Sequence, residues 1–133
     1  MKYYYVVLLF VILSAGCSTT STTNTSNKGK DYSQYQNLAD ILRTQPGITV
    51  TGSGFNTKVV IRGTNSLQLD TRPLYIIDGV QIGRDYASAN NMITPALVKS
   101  VRVIRDLSSL SSYGESGRNG VIIITTKSQN EIK

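Results

Sequence analysis

Leu74-Tyr75-Ile76-Ile77-Asp78-Gly79-Val80-Gln81-Ile82 decides the fold. Four apolar residues run into Asp-Gly, and an apolar-polar alternation follows. Asp-Gly between two such runs is a strong short-range hairpin signal, because a tight turn needs two residues that tolerate positive φ. Working toward the C-terminus, Val98 to Arg105 (VKSVRVIR) reads as another strand. Asp106 is placed to cap a helix running through Tyr113 and ending at Gly114, and Val121 to Thr126 (VIIITT) reads as a strand buried on both faces. Toward the N-terminus, Val59-Val60-Ile61 leads into Arg62-Gly63 as a strand, and Ile48-Thr49-Val50-Thr51 alternates with period two. Asn37 followed three residues later by Asp40 caps a short helix with Leu38, Ile41 and Leu42 on one face and Pro46-Gly47 as its stop. Asn90 to Pro95 reads as loop or broken helix. The elements alternate in type and no internal repeat is visible, so the expected class is α/β, in the α+β sense.

Composition narrows the chemistry. The 133 residues include no His and one Cys, at position 17, which removes the side chains most zinc sites and imidazole-based catalysts need. The formal charge of +6 and sequence pI near 9.6 would ordinarily suggest nucleic acid. The N-terminus points to export instead. Lys2 precedes an eight-residue apolar run, Val6 to Leu13, which is too short to span a bilayer, and Ser14, Ala15 and Gly16 lead to Cys17. LSAGC resembles a bacterial lipobox, with Leu13 four residues before the Cys rather than the usual three. Residues 1–16 are therefore expected to be a lipoprotein signal peptide and Cys17 the lipidation site.

Ser18 to Asn27 is uncharged and polar throughout, with nothing to bury. Residues 17–36 are expected to form a flexible tether, spanning about 20 Å as a coil. The folded domain is expected over 37–128, and residues 129–133 form a tail. Two or three acyl chains, at ~0.8 kcal/mol per buried methylene, would anchor such a chain durably.

Other constellations carry less. Gly52-Ser53-Gly54 opens like a dinucleotide fingerprint, but Thr57 stands where the third glycine belongs. Gly114-Glu115-Ser116-Gly117 lacks nucleophile-elbow spacing, and Asp70, Asp78 and Asp85 are too widely spaced for a calcium loop. Tyr32, Tyr35 and Tyr75 are of the kind that stack on sugars, but packing is the expected use. No catalytic set, cofactor or metal site is expected, and the chain is not expected to be an enzyme.

Five strings in order carry a resemblance: LADILRTQPGITV (38–50), IRG (61–63), PLYIIDGV (73–80), VKSVRVIRD (98–106) and SSYGESGRNGVIIITTK (111–127). Together they look like the plug domain of TonB-dependent outer-membrane receptors, in the variant found in glycan importers of Bacteroidota. The resemblance implies a mixed sheet of about four strands with short helices around it. It also implies a role for two arginines. Arg62 and Arg105 stand where the receptors carry basic residues facing carboxylates on the barrel wall, and Arg102 stands where an acidic residue is usual. All three are candidate barrel contacts.

No 22-strand barrel follows in the sequence and no TonB-binding box is evident in the tether, and a chain this short is not expected to form a conducting barrel of its own. The expectation is a non-enzymatic plug that seals or gates the periplasmic side of a barrel supplied by another chain. The type 9 secretion translocon, closed by a plug-like subunit, is the most specific candidate for that barrel. The alternative is an accessory binding module of a TonB-dependent glycan or siderophore importer. Either way the expected location is the outer membrane, lipid-anchored and facing the periplasm, with no nucleic acid partner. Ser18, rather than an Asp, after Cys17 supports outer-membrane sorting.

Overall fold

The structure is a computed structural model and describes residues 30–63 and 70–132. Cys17, the signal segment and most of the tether lie outside the described residues. Among the described residues six strands and four short α-helices follow one another in the order α1 (Leu38–Arg43), β1 (Ile48–Thr51), β2 (Lys58–Ile61), β3 (Leu74–Ile77), β4 (Val80–Gly83), α2 (Tyr86–Asn91), β5 (Val98–Ile104), α3 (Leu107–Leu110), α4 (Gly114–Gly117) and β6 (Val121–Thr126). Short 3-10 turns at Gly54–Asn56, Pro95–Leu97 and Ser111–Tyr113 lie between them, and another at Gln129–Glu131 follows β6. No described helix is long and apolar enough to cross a membrane.

A four-stranded mixed sheet in the order β4-β3-β6-β5 forms the centre, and β1 and β2 pair antiparallel as a separate ribbon. The expected hairpin is present. Asp78 has φ +48 and Gly79 φ +85, the backbone that Asp-Gly was read to supply. Asp78 does a second job. Its carboxylate accepts hydrogen bonds from the Thr126 backbone N–H at 2.8 Å and the Thr126 hydroxyl at 2.7 Å, fixing the end of β6 against the turn. β6 runs parallel to β3 and antiparallel to β5, which explains its near-continuous apolar run: it is flanked on both edges and covered on both faces.

Alternation along these strands sorts the core into two clusters. Tyr75, Ile77, Val98, Val101, Ile122 and Ile124 face α1, α2 and the inward side of the ribbon, where Leu38, Ile41, Leu42, Val59 and Ile61 are buried. Leu74, Ile76, Ile104 and Val121 face the other way, against Leu110 of α3.

The start of α1 shows how sequence and packing cooperate. Asn37 Oδ1 accepts from the Asp40 N–H at 3.0 Å, as expected of a capping residue. The two preceding N–H groups are bound from α2: Leu38 donates to Asn90 Oδ1 at 3.0 Å and Ala39 to the Tyr86 hydroxyl at 3.1 Å. Tyr86 in turn donates to Asn90 Oδ1 at 3.2 Å. A helix of six residues is too short to persist alone, so this docking and its four buried side chains stabilise it.

Two expectations are corrected. The helix expected from Asp106 through Tyr113 begins as read, with Asp106 accepting from the Ser109 N–H at 2.9 Å, but its α-helical part ends at Leu110. A 3-10 turn follows, and Gly114, with φ +57, redirects the chain into α4 rather than ending the helical region. The loop or broken helix expected at Asn90–Pro95 starts inside a true helix, α2, which runs through Asn91 and which Asp85 caps by accepting from the Ser88 N–H at 2.8 Å.

Candidate functional site

Arg62 follows the last residue of β2 and lies on the ribbon's outward face with Thr49 and Val60. Its Nε donates to Thr49 Oγ1 at 2.8 Å and its backbone N–H to the Gly47 carbonyl at 2.7 Å. Arg105 follows β5 and lays its guanidinium over the same glycine; a Cβ at Gly47 would sit 2.5 Å from Arg105 Nη1. Gly47 also has φ +81, so glycine is required there for conformation and for space. The structure thus brings Arg62 and Arg105 to one turn.

Arg102 is elsewhere. It pairs in register with Ile123, whose packing belongs to the second core cluster, so it projects from the sheet face opposite the ribbon. All three arginines are exposed. Among the described residues the ion pairs are Arg43–Asp40, Arg72–Asp70, Arg84–Asp70, Lys99–Glu131 and Arg118–Glu115, and none includes Arg62, Arg102, Arg105 or Lys58.

The sequence reading missed a second centre of charge. Asp70 accepts from Arg72 Nε at 2.9 Å and Nη2 at 3.2 Å, and from Arg84 Nη1 at 3.4 Å. Arg84 also donates to the carbonyls of Glu115 at 2.6 Å and Ser116 at 3.1 Å. Hydrogen bonds from the Arg72 side chain and backbone hold the Asp70 carboxyl far below the usual carboxylate range. Asn119 is 1% exposed, and its Nδ2 donates to the carbonyls of Asp70 at 2.7 Å and Arg72 at 3.3 Å. The one available signal was a polar Asn beside Gly120, just before the apolar run of β6.

Beside this network lies a cleft of about 470 Å³, walled by Phe55, Lys58, Asp70, Arg72, Tyr75 and Arg84 among others. Phe55, in the turn between β1 and β2, is 93% exposed and also borders a smaller cleft of about 230 Å³ lined by Asn37, Arg43, Asn90 and Asn91. The Thr71 hydroxyl is buried at the larger cleft without a hydrogen-bond partner among the described residues. Burial pushes the Tyr75 hydroxyl well above the usual phenol range. The tyrosines pack as expected: Tyr32 and Tyr75 are in the core, and the Tyr35 ring lies 6.1 Å from that of Tyr32. The arrangement offers cations, amides and one exposed ring, which suits binding. Among the described residues no group of three His, Cys, Asp or Glu is placed to hold a metal.

Known proteins give this geometry a context. The family model described as TonB-dependent Receptor Plug Domain matches residues 17–121. TonB-dependent receptor SusC of Bacteroides thetaiotaomicron is 38% identical over 78 residues, 56% of this chain and 8% of SusC. A TonB-dependent receptor of Formosa agariphila is 36% identical over 85 residues, 61% of this chain and 8% of the receptor. Vitamin B12 transporter BtuB of Vibrio vulnificus is 35% identical over 115 residues, covering 83% of this chain and 18% of BtuB. Among solved structures, the RagAB peptide importer in its open-open state superimposes with a TM-score of 0.57 at 35% identity, over 73% of this chain and 11% of that one. The chain thus spans less than a tenth of the length of the first two receptors.

Proposed function

The chain belongs to the TonB-dependent receptor plug family, and from that premise we propose that it seals or gates the periplasmic side of an outer-membrane β-barrel supplied by another chain. The observation that carries this reading is the pair of exposed arginines at Gly47. Their charges are unmatched by any carboxylate among the described residues, although Asp70 nearby in sequence binds two other arginines. A forked guanidinium is suited to bidentate capture of carboxylates, and a plug seated in a polar lumen would meet them there. On this reading Cys17 carries the lipid, and a tether of about 20 Å keeps the domain at the inner face of the outer membrane. Tethering raises the effective concentration to roughly millimolar, so modest affinity suffices to keep a pore mostly closed. The type 9 secretion translocon is a candidate barrel. The proposal involves no catalysis.

The experiment is a deletion together with the Arg62→Glu/Arg105→Glu double variant. Both should make the envelope more permeable to large antibiotics, and the double variant should melt like the parent because neither side chain is in the core. Unchanged permeability with loss of glycan or metal-chelate uptake would replace the seal with a second reading, an accessory binding module of an importer. The exposed Phe55 beside a cationic cleft favours that alternative.

A further inference from the structure

The central sheet has two edges, and they differ. β4 is four residues long, its register with β3 shifts between Tyr75 and Ile76, and it carries no charge. β5 is seven residues long and, among the described residues, pairs with β6 on one side only. No backbone hydrogen bond among the described residues reaches β5 from the other side. Beside that edge a groove of about 220 Å³ opens between Lys99, Ser100 and Val101 on one bank and Thr44, Gln45 and Pro46 on the other, with Lys30 and the buried Tyr32 of the chain's own N-terminal segment also lining it. A free edge of this length is a template for another extended segment.

The charges on and beyond β5 select among occupants. Lys99, Arg102 and Arg105 are all exposed; Lys99 is paired with Glu131, while Arg102 and Arg105 have no ion pair among the described residues. Cations on an edge strand guard against pairing with neutral or like-charged strands. A second copy pairing antiparallel through β5 in the register centred on Arg102 would set Arg102 against Arg102 and Lys99 against Arg105, which is destabilising. The same residues favour a strand that carries carboxylates, since specificity comes from what is repelled as well as what is attracted.

We infer that the free edge of β5 accepts an extended, acidic segment of the partner barrel chain as a fifth strand, with carboxylates on the face of Arg102. The backbone ladder supplies the affinity and Arg102 the choice of partner. The inference deepens the plug reading and rests on it for the identity of the partner chain.

The test uses the full chain in detergent and two short peptides, one alternating Thr with Glu and the other Thr with Lys, at about 5 mM to suit a millimolar dissociation constant. Backbone amide exchange is read residue by residue. The Glu peptide should slow exchange at alternate amides within Val98–Ile104 by about sixfold, a free-energy change of about 1.1 kcal/mol at a dissociation constant of about 1 mM. Arg102→Glu should abolish the effect and Arg102→Gln weaken it, with melting curves confirming that both variants fold. Equal protection by the Lys peptide, protection at Val80–Gly83 instead, or no protection at all would overturn the inference. So would β5 amides that are already protected without peptide, because the edge would then be occupied by the chain's own N-terminal residues or by a second copy. Peptide binding in a protein that fails to close any barrel would refute the plug reading and the barrel as occupant together.

Discussion

Replacing Tyr86 with Phe removes one oxygen from a buried junction and nothing else. The Tyr86 hydroxyl accepts from the Ala39 N–H at 3.1 Å and donates to Asn90 Oδ1 at 3.2 Å. Asn90 Oδ1 keeps its other donor, the Leu38 N–H at 3.0 Å. The ring volume is unchanged, so no cavity opens. What is lost is the partner of a buried backbone donor at the start of α1, and an unsatisfied buried donor costs about 1–3 kcal/mol. Taking about 2 kcal/mol, a domain of this size should melt roughly 8–16 °C lower. The chain has no Trp, so unfolding in urea is best followed by far-UV circular dichroism.

Asn90→Ala should cost a similar amount, through Leu38. The Tyr86→Phe/Asn90→Ala double variant should cost less than the two singles together by about 0.5–1 kcal/mol, because both remove the Tyr86–Asn90 bond. pH offers a separate arm. Burial raises the Tyr86 hydroxyl above its ordinary value. Stability from this group is therefore intact below about pH 10, where the unfolded tyrosine begins to ionise, and is lost as pH rises through the folded value. Tyr86→Phe should flatten part of that alkaline decline, and Tyr75, also raised, should retain the rest. A Tyr86→Phe protein as stable as the parent, with unchanged exchange at the Ala39 amide, would refute the argument that α2 caps α1.

Asp70 is held far below the usual range by Arg72, so its contribution is complete above about pH 4 and is lost as pH falls toward the folded value; Asp70→Asn should be less stable at neutral pH and show a shallower acid limb in pH-dependent melts. Gly120 has φ +95, and a Cβ there would lie 2.6 Å from Ile61 Cδ1 and 3.2 Å from the Ile104 carbonyl, so Gly120→Ala should cost at least about 2 kcal/mol in urea unfolding, from strain and overpacking together. Cys17→Ala should release the protein from outer-membrane fractions and abolish labelling by an alkyne fatty acid, and persistent labelling would refute lipidation at that residue.

The strands were legible because their signals are local. Asp78-Gly79 fixes a turn wherever it falls between apolar runs, and Val121–Thr126 advertises two-sided burial without reference to any partner. Asn37 and Asp106 were readable as caps for the same reason. The break after Leu110 was not, because Gly114 at positive φ can end a helix or swing the chain into the next one, and only packing decides which. α2 escaped notice because Tyr-Ala-Ser-Ala-Asn-Asn has no apolar stripe of ordinary strength; its two buried side chains, Tyr86 and Ala89, earn their place from α1. The arginine candidates could be named in sequence, but their grouping could not. Arg62 and Arg105 are 43 positions apart and meet at Gly47, while Arg102, three positions from Arg105, points to the opposite face of the sheet. The Asp70 network was hidden for a similar reason, since its members come from three separated segments.

β6 is the last of the described strands and an interior strand of its sheet, set between β3 and β5. Its parallel pairing joins Leu74 to Val121 across 47 positions, a long loop to close before any contact rewards it. Until residue 126 is free, β3 and β5 have no partner on their inner edges, and the Asp78 carboxylate has no Thr126 to hold. In a chain emerging N-terminus first from a ribosome or a narrow channel, this four-stranded sheet therefore stays open, with the β3–β4 hairpin and the β1–β2 ribbon as its earlier pairings, and closes only when β6 arrives.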